Sequence, residues 1–513
     1  MSIPSAGGEV LVAIDVGTSG ARASAFDLAG TPVAQVRRPY PTALPAEGWA
    51  EQDARRWQSA SISSLTGLVR ELGPRHPVAA IGITGQCPSV VPVDAAGTPL
   101  RPGIIYRDNR AVAEAEEICE RIGAREVHAL TGHVPAAFHV AAKMLWVRAH
   151  EPEVFAATRR FLQPSDCVVL ALTGETATDW TMAAATALLD LRGRRWATAL
   201  LAGLDLDPDL LPPLHPSWGV VGTLRPGLAR RVGIGAGRAG REAAIPVVAG
   251  AGDSIACAVG AGVTEPGPVS EMAGSSTCLN SVVASPLTDL DVTHYPSAVD
   301  AHGYVTEVGI NTTGEALDWV AQLFYSGPDR HPRPADYARM DRDAAAVPPG
   351  ADGLLFAPVL GDGERDDPDL RGAVTGLSLR HDHRAWARAA LEGVALGIRA
   401  RLETLERAST PATELRISGG GAALDAWNQI KADVLGIPVV RVAGDATACG
   451  AALLAGIGTG IYRDAVEAIA AGYRPAARVE PRSRHREQYG EIYARYRSLL
   501  SSPVARMDRP RED

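Results

Sequence analysis

Asp15 stands at the end of a short apolar run, Val10 to Ile14, and Gly17, Thr18, Ser19 and Gly20 follow it. These four residues are too small and polar to build a core. Apolar alternation resumes toward Phe26 and Leu28. The pattern predicts a strand, a tight turn and a returning strand. Such a turn offers backbone N–H groups and two hydroxyls to an anion, beside a carboxylate able to hold a metal ion. A nucleotide phosphate with Mg2+ requires that combination. An ordinary hairpin turn uses the same residue types, so these residues alone leave both readings open.

The opening plan recurs. Pro268 to Ala273 reads as a strand, Gly274-Ser275-Ser276-Thr277 as a second small polar turn, and Leu279 to Val283 as its return. Between the two, Ile245 to Gly250 reads as a strand that ends in Ala251-Gly252-Asp253-Ser254, before a small-residue helix over Ile255 to Gly262. A further glycine turn, Gly419-Gly420-Gly421, follows the predicted strand Glu414 to Ser418. The recurrence reads as an internal repeat: two similar domains, each offering a phosphate turn to one cleft.

The elements that must position these turns alternate along the chain. Asp53 is an N-cap candidate for a helix carrying Trp57, Ile62, Leu65, Leu68 and Leu72 at helical spacing, broken by Gly73-Pro74. Val78 to Thr84 is a strand, and Gly85-Gln86-Cys87-Pro88-Ser89 is the loop that leaves it. Lys143 to His150 and Trp386 to Leu405 read as helices, as does Ala446 to Ile457. Strands and helices in alternation predict an α/β fold. A tract rich in Pro and Gly, Leu204 to Gly240, reads as a connector region with short elements.

With 513 residues the chain exceeds what one core organises, so two large domains are expected. Apolar residues make up 46% and charged residues 21%, which excludes global disorder. The net charge of −9, without a sustained Lys/Arg cluster, argues against nucleic-acid and anionic-membrane partners. Six dispersed cysteines form no CxxC pair, so neither a zinc site nor a disulfide framework is indicated. Met1 to Glu9 lacks the pattern of a signal peptide, and no apolar run is long enough to span a bilayer. A reducing, cytoplasmic compartment is the simplest reading. The sequence gives no handle on the oligomer; a homodimer is left open.

The ordered set Asp15-Val-Gly-Thr-Ser, Ala249-Gly-Ala-Gly-Asp253, Glu271-Met-Ala-Gly274-Ser275-Ser276 and Ser418-Gly-Gly-Gly421 resembles the FGGY carbohydrate kinases. Connectors such as Gly97 to Arg110, Leu172 to Asp179 and Trp427 to Leu435 share the resemblance, which runs from about Val10 to Ile461 and is strongest toward the xylulokinases. It implies two actin-like (ribonuclease H-like) domains facing an interdomain cleft, divided here as 1–249, 250–490 and a charged tail, 491–513. It implies transfer of the γ-phosphoryl group of ATP to a hydroxyl of a small sugar or polyol. Asp253 then takes the place of the general base, which must accept the alcohol proton; its other role would be to cap the helix behind it. Asp15 corresponds to the Mg2+ contact. Thr18, Ser19 and Arg22 lie at the first phosphate turn, Gly274 and Ser275 at the second, and Gly420 against adenosine.

The resemblance places the sugar against Gln86, Cys87, Pro88, Tyr106 and Asp253. Xylulokinases read Gln-Met-His-Gly where this chain reads Gln86-Cys87-Pro88-Ser89, and glycerol kinases read Asn-Gln-Arg-Glu. The missing Arg-Glu pair argues against glycerol. The missing Met-His pair means that xylulose would need other donors. Tyr106 offers an aromatic face to a sugar or fills core. The expected reaction is ATP-dependent phosphorylation of a ketopentose such as xylulose. Ribulose, erythritol or another polyol, and a signal sugar are the alternatives. An actin- or Hsp70-like ATPase without a sugar substrate would have little reason for a base at Asp253.

Overall fold

The computed structural model describes residues 8–234, 244–286, 290–328, 330–361, 363–364, 367, 369–408 and 410–506. Part of the Leu204–Gly240 connector and the end of the charged tail lie outside the described residues. The chain forms two compact units. The first collects Met1–Thr264, Val282–Thr306 and Asp445–Tyr473; the second collects Glu265–Ser281, Glu307–Gly444 and Arg474–Asp513.

In the first unit, β1 (Val10–Gly17), β2 (Gly20–Asp27) and β3 (Pro32–Pro39) form a meander. Helix α1 (Ala54–Leu72) follows, then β4 (Val78–Gly85) and, farther on, helix α2 (Val140–His150). Next come β5 (Val220–Thr223), β6 (Pro246–Gly252) and α3 (Asp253–Gly260). The six strands make one sheet in the order β5-β6-β4-β1-β2-β3. β1, β4 and β6 run parallel. Central parallel strands are covered on both faces, and Val10 to Val16 is buried throughout, Asp15 included.

One face of the sheet lies under α1. The Asp53 carboxylate caps this helix by accepting from Arg55 N–H at 3.0 Å, and Trp57, Leu65, Leu68 and Leu72 are buried. The other face is covered by α3 and by the helix Ala446–Gly458, which returns from the far end of the sequence. Those two helices meet through glycines. A Cβ on Gly260 would stand 1.9 Å from Ala446 O, and one on Gly450 would stand 1.9 Å from Ala256 O. Only a residue without a side chain allows that approach.

In the second unit, β7 (Pro268–Ala273) pairs antiparallel with β8 (Thr277–Val283). Helix α4 (Gly314–Ala321) follows. β9 (Glu414–Gly419) lies parallel to β7, and α5 (Asp425–Leu435) leads to β10 (Val439–Val442), parallel to β9. β11 (Pro475–Val479) closes this edge antiparallel to β10. α5 is tied to β7 by a fully buried ion pair: Lys431 Nζ donates to both Glu271 carboxylate oxygens, at 2.6 and 2.8 Å. A buried pair of this kind is strongly destabilising to break from one side. Among the described residues no helix is long and apolar enough to cross a membrane.

Candidate active site

Parallel strands leave their carboxyl ends in register, and ligands of α/β sheets gather at such ends. In the first unit Asp15 on β1 lies beside Thr84 on β4, and Thr84 lies beside Ala251 on β6. One edge of the sheet therefore collects the turn after Asp15, the loop Gln86–Ser89 and Asp253. The candidate residues Asp15, Thr18, Ser19, Arg22, Gln86, Cys87, Pro88, Tyr106 and Asp253 all belong to this unit, and Gly274, Ser275 and Gly420 to the other.

The Asp15 carboxylate is 2% exposed. Its Oδ2 accepts from Arg22 Nε at 3.1 Å and Nη2 at 2.5 Å, across the β1–β2 pair. Its Oδ1 is buried and has no hydrogen-bond partner. Burial raises the Asp15 pKa above the ordinary carboxylate value and the charge of Asp445 adds to this, while Arg22 opposes both. Arg22 Nη1 also reaches Asp445 Oδ2 at 3.1 Å. A buried carboxylate with one unpartnered oxygen and a second carboxylate nearby is a site where a cation recovers lost solvation. The donor set is oxygen, as Mg2+ prefers. Arg22, read from sequence as a charge for phosphate, divides its guanidinium between Asp15 and Asp445.

The turn itself is held from behind. Tyr40 donates to Gly17 O at 2.5 Å, and Gln52 Nε2 donates to Thr18 O at 2.7 Å. Arg37 Nη2 donates to Ser19 Oγ at 2.6 Å. Thr18 Oγ1 donates to Tyr106 OH at 3.3 Å, which brings Tyr106 to the turn. Tyr106 N–H is fixed by Ser89 Oγ at 3.1 Å.

Gln86 is buried, and its N–H donates to Val16 O at 3.0 Å. The Cys87–Pro88 peptide is cis. Lys143, fully buried on α2, donates to Pro88 O at 3.1 Å and Ile105 O at 2.9 Å. Burial pushes the Lys143 ammonium down to about 7, against the charge of Asp108. Cys87 Sγ would stand 3.0 Å from a Cβ on Gly252, so this loop lies against the residue that precedes Asp253. Asp253 is the first residue of α3 and is half-buried; its Oδ1 accepts from Ser254 N–H at 2.9 Å. Gly252 N–H is anchored by Thr181 Oγ1 at 2.9 Å.

In the second unit the turn Gly274–Ser276 is exposed at its first two residues. Ser275 O accepts from the N–H groups of Thr313 and Glu315, both at 3.1 Å. A Cβ on Gly314 would stand 2.2 Å from Gly274 O, so glycine lets the α4 N-terminus seat directly on this turn. Ala273 lies beside Gly419, which brings Gly420 to the same end of the sheet. Gly420 is exposed, with open space where a Cβ would be.

Sequence reading missed Gln52, Tyr40, Arg37, Asp445 and Lys143. Gln52 directly precedes the N-cap candidate Asp53, and the local sequence marks only the cap. The other four are charged or aromatic residues with no local pattern that marks them.

The N-terminal domain model of the FGGY family of carbohydrate kinases matches residues 10–260, and the C-terminal domain model of that family matches residues 270–459. A xylulose kinase of Escherichia coli is 31% identical over 89% of this chain and 91% of its own. A gluconokinase of Bacillus subtilis is 27% identical over 87% of each chain. The crystal structure of a xylulose kinase from Rhodospirillum rubrum superposes with a TM-score of 0.86 at 31% identity, covering 96% of this chain and 98% of that one. The fold is thus the two-domain, actin-like α/β fold. The chain belongs to the FGGY family of carbohydrate kinases and is a phosphotransferase that acts on an alcohol group of a sugar.

Proposed function

We propose that the protein phosphorylates a ketopentose, D-xylulose foremost, with ATP as donor and Mg2+ as the metal. The observation that carries this reading is the register of β1, β4 and β6, which gathers the Asp15 turn, the Gln86–Ser89 loop and Asp253 at one sheet edge. The names of the relatives favour xylulose among sugars, and the absence of an Arg-Glu pair at Pro88-Ser89 disfavours glycerol.

Asp253 accepts the proton of the attacking hydroxyl. It sits on the first turn of a helix that begins at the strand end, which fixes its backbone. Thr18 and Ser19 in one unit, and Gly274 and Ser275 in the other, offer N–H and hydroxyl donors to phosphate oxygens. Gly420 leaves room for adenosine. Asp15 would hold the metal, and Arg22 keeps its Oδ2 oriented. A Mg2+ ion held there would supply neutralisation of charge on the transferring phosphoryl group. Gln86, Cys87, Pro88 and Tyr106 bound the acceptor end.

A second reading keeps the reaction and changes the acceptor. It rests on Cys87-Pro88, which stands where xylulokinases carry Met-His. The test is ADP release with Mg-ATP across ketoses, aldoses, polyols and aldonates. The greatest kcat/KM is expected for D-xylulose. A greater value for another acceptor establishes the second reading, and no stimulation by any of them overturns both.

A further inference from the structure

The geometry points to Gln52 as a positioning residue that locks the phosphate turn and the acceptor loop to each other. This inference rests on the proposed roles of those two segments. Gln52 is 2% exposed and uses its whole amide. Nε2 donates to Thr18 O and to Thr42 Oγ1, both at 2.7 Å. Oε1 accepts from Trp57 Nε1 at 2.8 Å and from Gln86 Nε2 at 2.9 Å.

The partners leave no choice of orientation. An indole N–H only donates and a peptide oxygen only accepts, so the Gln52 amide cannot be flipped. The Gln86 amide is fixed in turn, with its nitrogen toward Gln52. Gln86 also reaches the β1 end through its own N–H, which donates to Val16 O. The carbonyls of Val16, Gly17 and Thr18 are therefore gripped in succession by Gln86, Tyr40 and Gln52. In a trans peptide the next N–H points opposite to the carbonyl. Gripping Gly17 O and Thr18 O thus aims the N–H groups of Thr18 and Ser19 away from the scaffold, where a phosphate would lie. One side chain sets the turn that receives the donor and holds the first residue of the loop that receives the acceptor.

The test replaces Gln52 by Glu and by Leu and follows turnover of D-xylulose with Mg-ATP at pH 6 and pH 8, with melting temperature at both. Ionised Glu turns an acceptor oxygen against Thr18 O. Protonated Glu restores a donor there and still accepts on its other oxygen. Gln52→Glu should therefore lose about tenfold or more in kcat/KM at pH 8, relative to wild type at that pH, and recover most of it at pH 6. KM for both substrates should rise at pH 8. Gln52→Leu should lose activity equally at both pH values. The proposal is overturned if Gln52→Leu keeps kcat and both KM values within twofold of wild type. It is also overturned if the Gln52→Glu deficit is the same at pH 6 and pH 8, if activity follows melting temperature alone, or if neither variant folds. Wild-type protein without xylulose turnover would instead refute the underlying substrate reading.

Discussion

At the residue scale, the two carboxylates of the first unit have different environments, which suit the metal and base roles proposed for them. Asp15 is buried and bound by arginine on one oxygen, with the other unpartnered. Asp253 is half-buried at a helix start. Asp253→Asn keeps the shape and removes the proton acceptor. It should lower kcat by about 100-fold or more with nucleotide affinity within a few-fold of wild type; wild-type kcat would exclude Asp253 as the base. Gly420 permits a cleaner test of the adenosine assignment. No atom stands within 4 Å of a Cβ placed there, so Gly420→Val should leave the melting temperature unchanged. A bound adenosine would meet the new side chain, and KM for ATP should rise roughly tenfold, about 1.4 kcal/mol. Unchanged KM for ATP would move adenosine away from Gly420.

At the element scale, the helix over Pro164–Thr173 shows how burial writes a pH dependence into the fold. The Asp166 carboxylate accepts from Gln163 N–H at 2.8 Å and caps this helix from inside the protein. Burial pushes its pKa up to about 7, from an ordinary value of 3.8. Between these values the folded chain holds a proton that the unfolded chain has released. Stability from this group therefore falls as pH rises through that window. Asp166→Asn carries no such proton. Relative to wild type, the variant should be more stable at pH 8 than at pH 5 by at least about 1 kcal/mol, read by denaturant unfolding. A pH-independent difference would show that Asp166 stays ionised across the range.

Elements were also the scale at which the sequence was most legible. Asp53 and the spacing of Trp57, Leu65, Leu68 and Leu72 define α1, whose cap and buried face follow from local chemistry. The two glycine hairpins and the small-residue helix after Gly444 are equally local signals. Gln52 was not legible as a site residue, because its importance lies in partners 34 positions away on either side. Lys143 looked like the start of a helix; its contacts with Pro88 O and Ile105 O exist only after folding.

At the scale of the whole molecule, the first unit takes three separate segments of chain. The return of Asp445–Tyr473 has no signature in a linear reading, since a small-residue helix carries no address. Its contribution is large. Ala451, Ala452, Leu454 and Ala455 share one core with Leu11 and Ala13 of β1, Ala80 of β4, Val248 of β6 and Ile255 of α3. A chain ending at Gly444 would leave that apolar face covered by α3 alone, with much of it exposed. Such a truncation should be recovered mainly as aggregate and should show no cooperative melt. A soluble fragment with a sharp transition would show that the first unit closes without its last segment.

The same arrangement sets a timetable on the ribosome. β1, β4 and β6 emerge early, yet the helix that covers them is made about 190 residues after β6, roughly 10–40 s later at ordinary synthesis rates. The half of the enzyme that bears Asp15 and Asp253 is the first to be translated and among the last to be finished. Throughout that interval α3 alone covers this apolar face of the nascent sheet, and the second unit must be synthesised before the covering is complete.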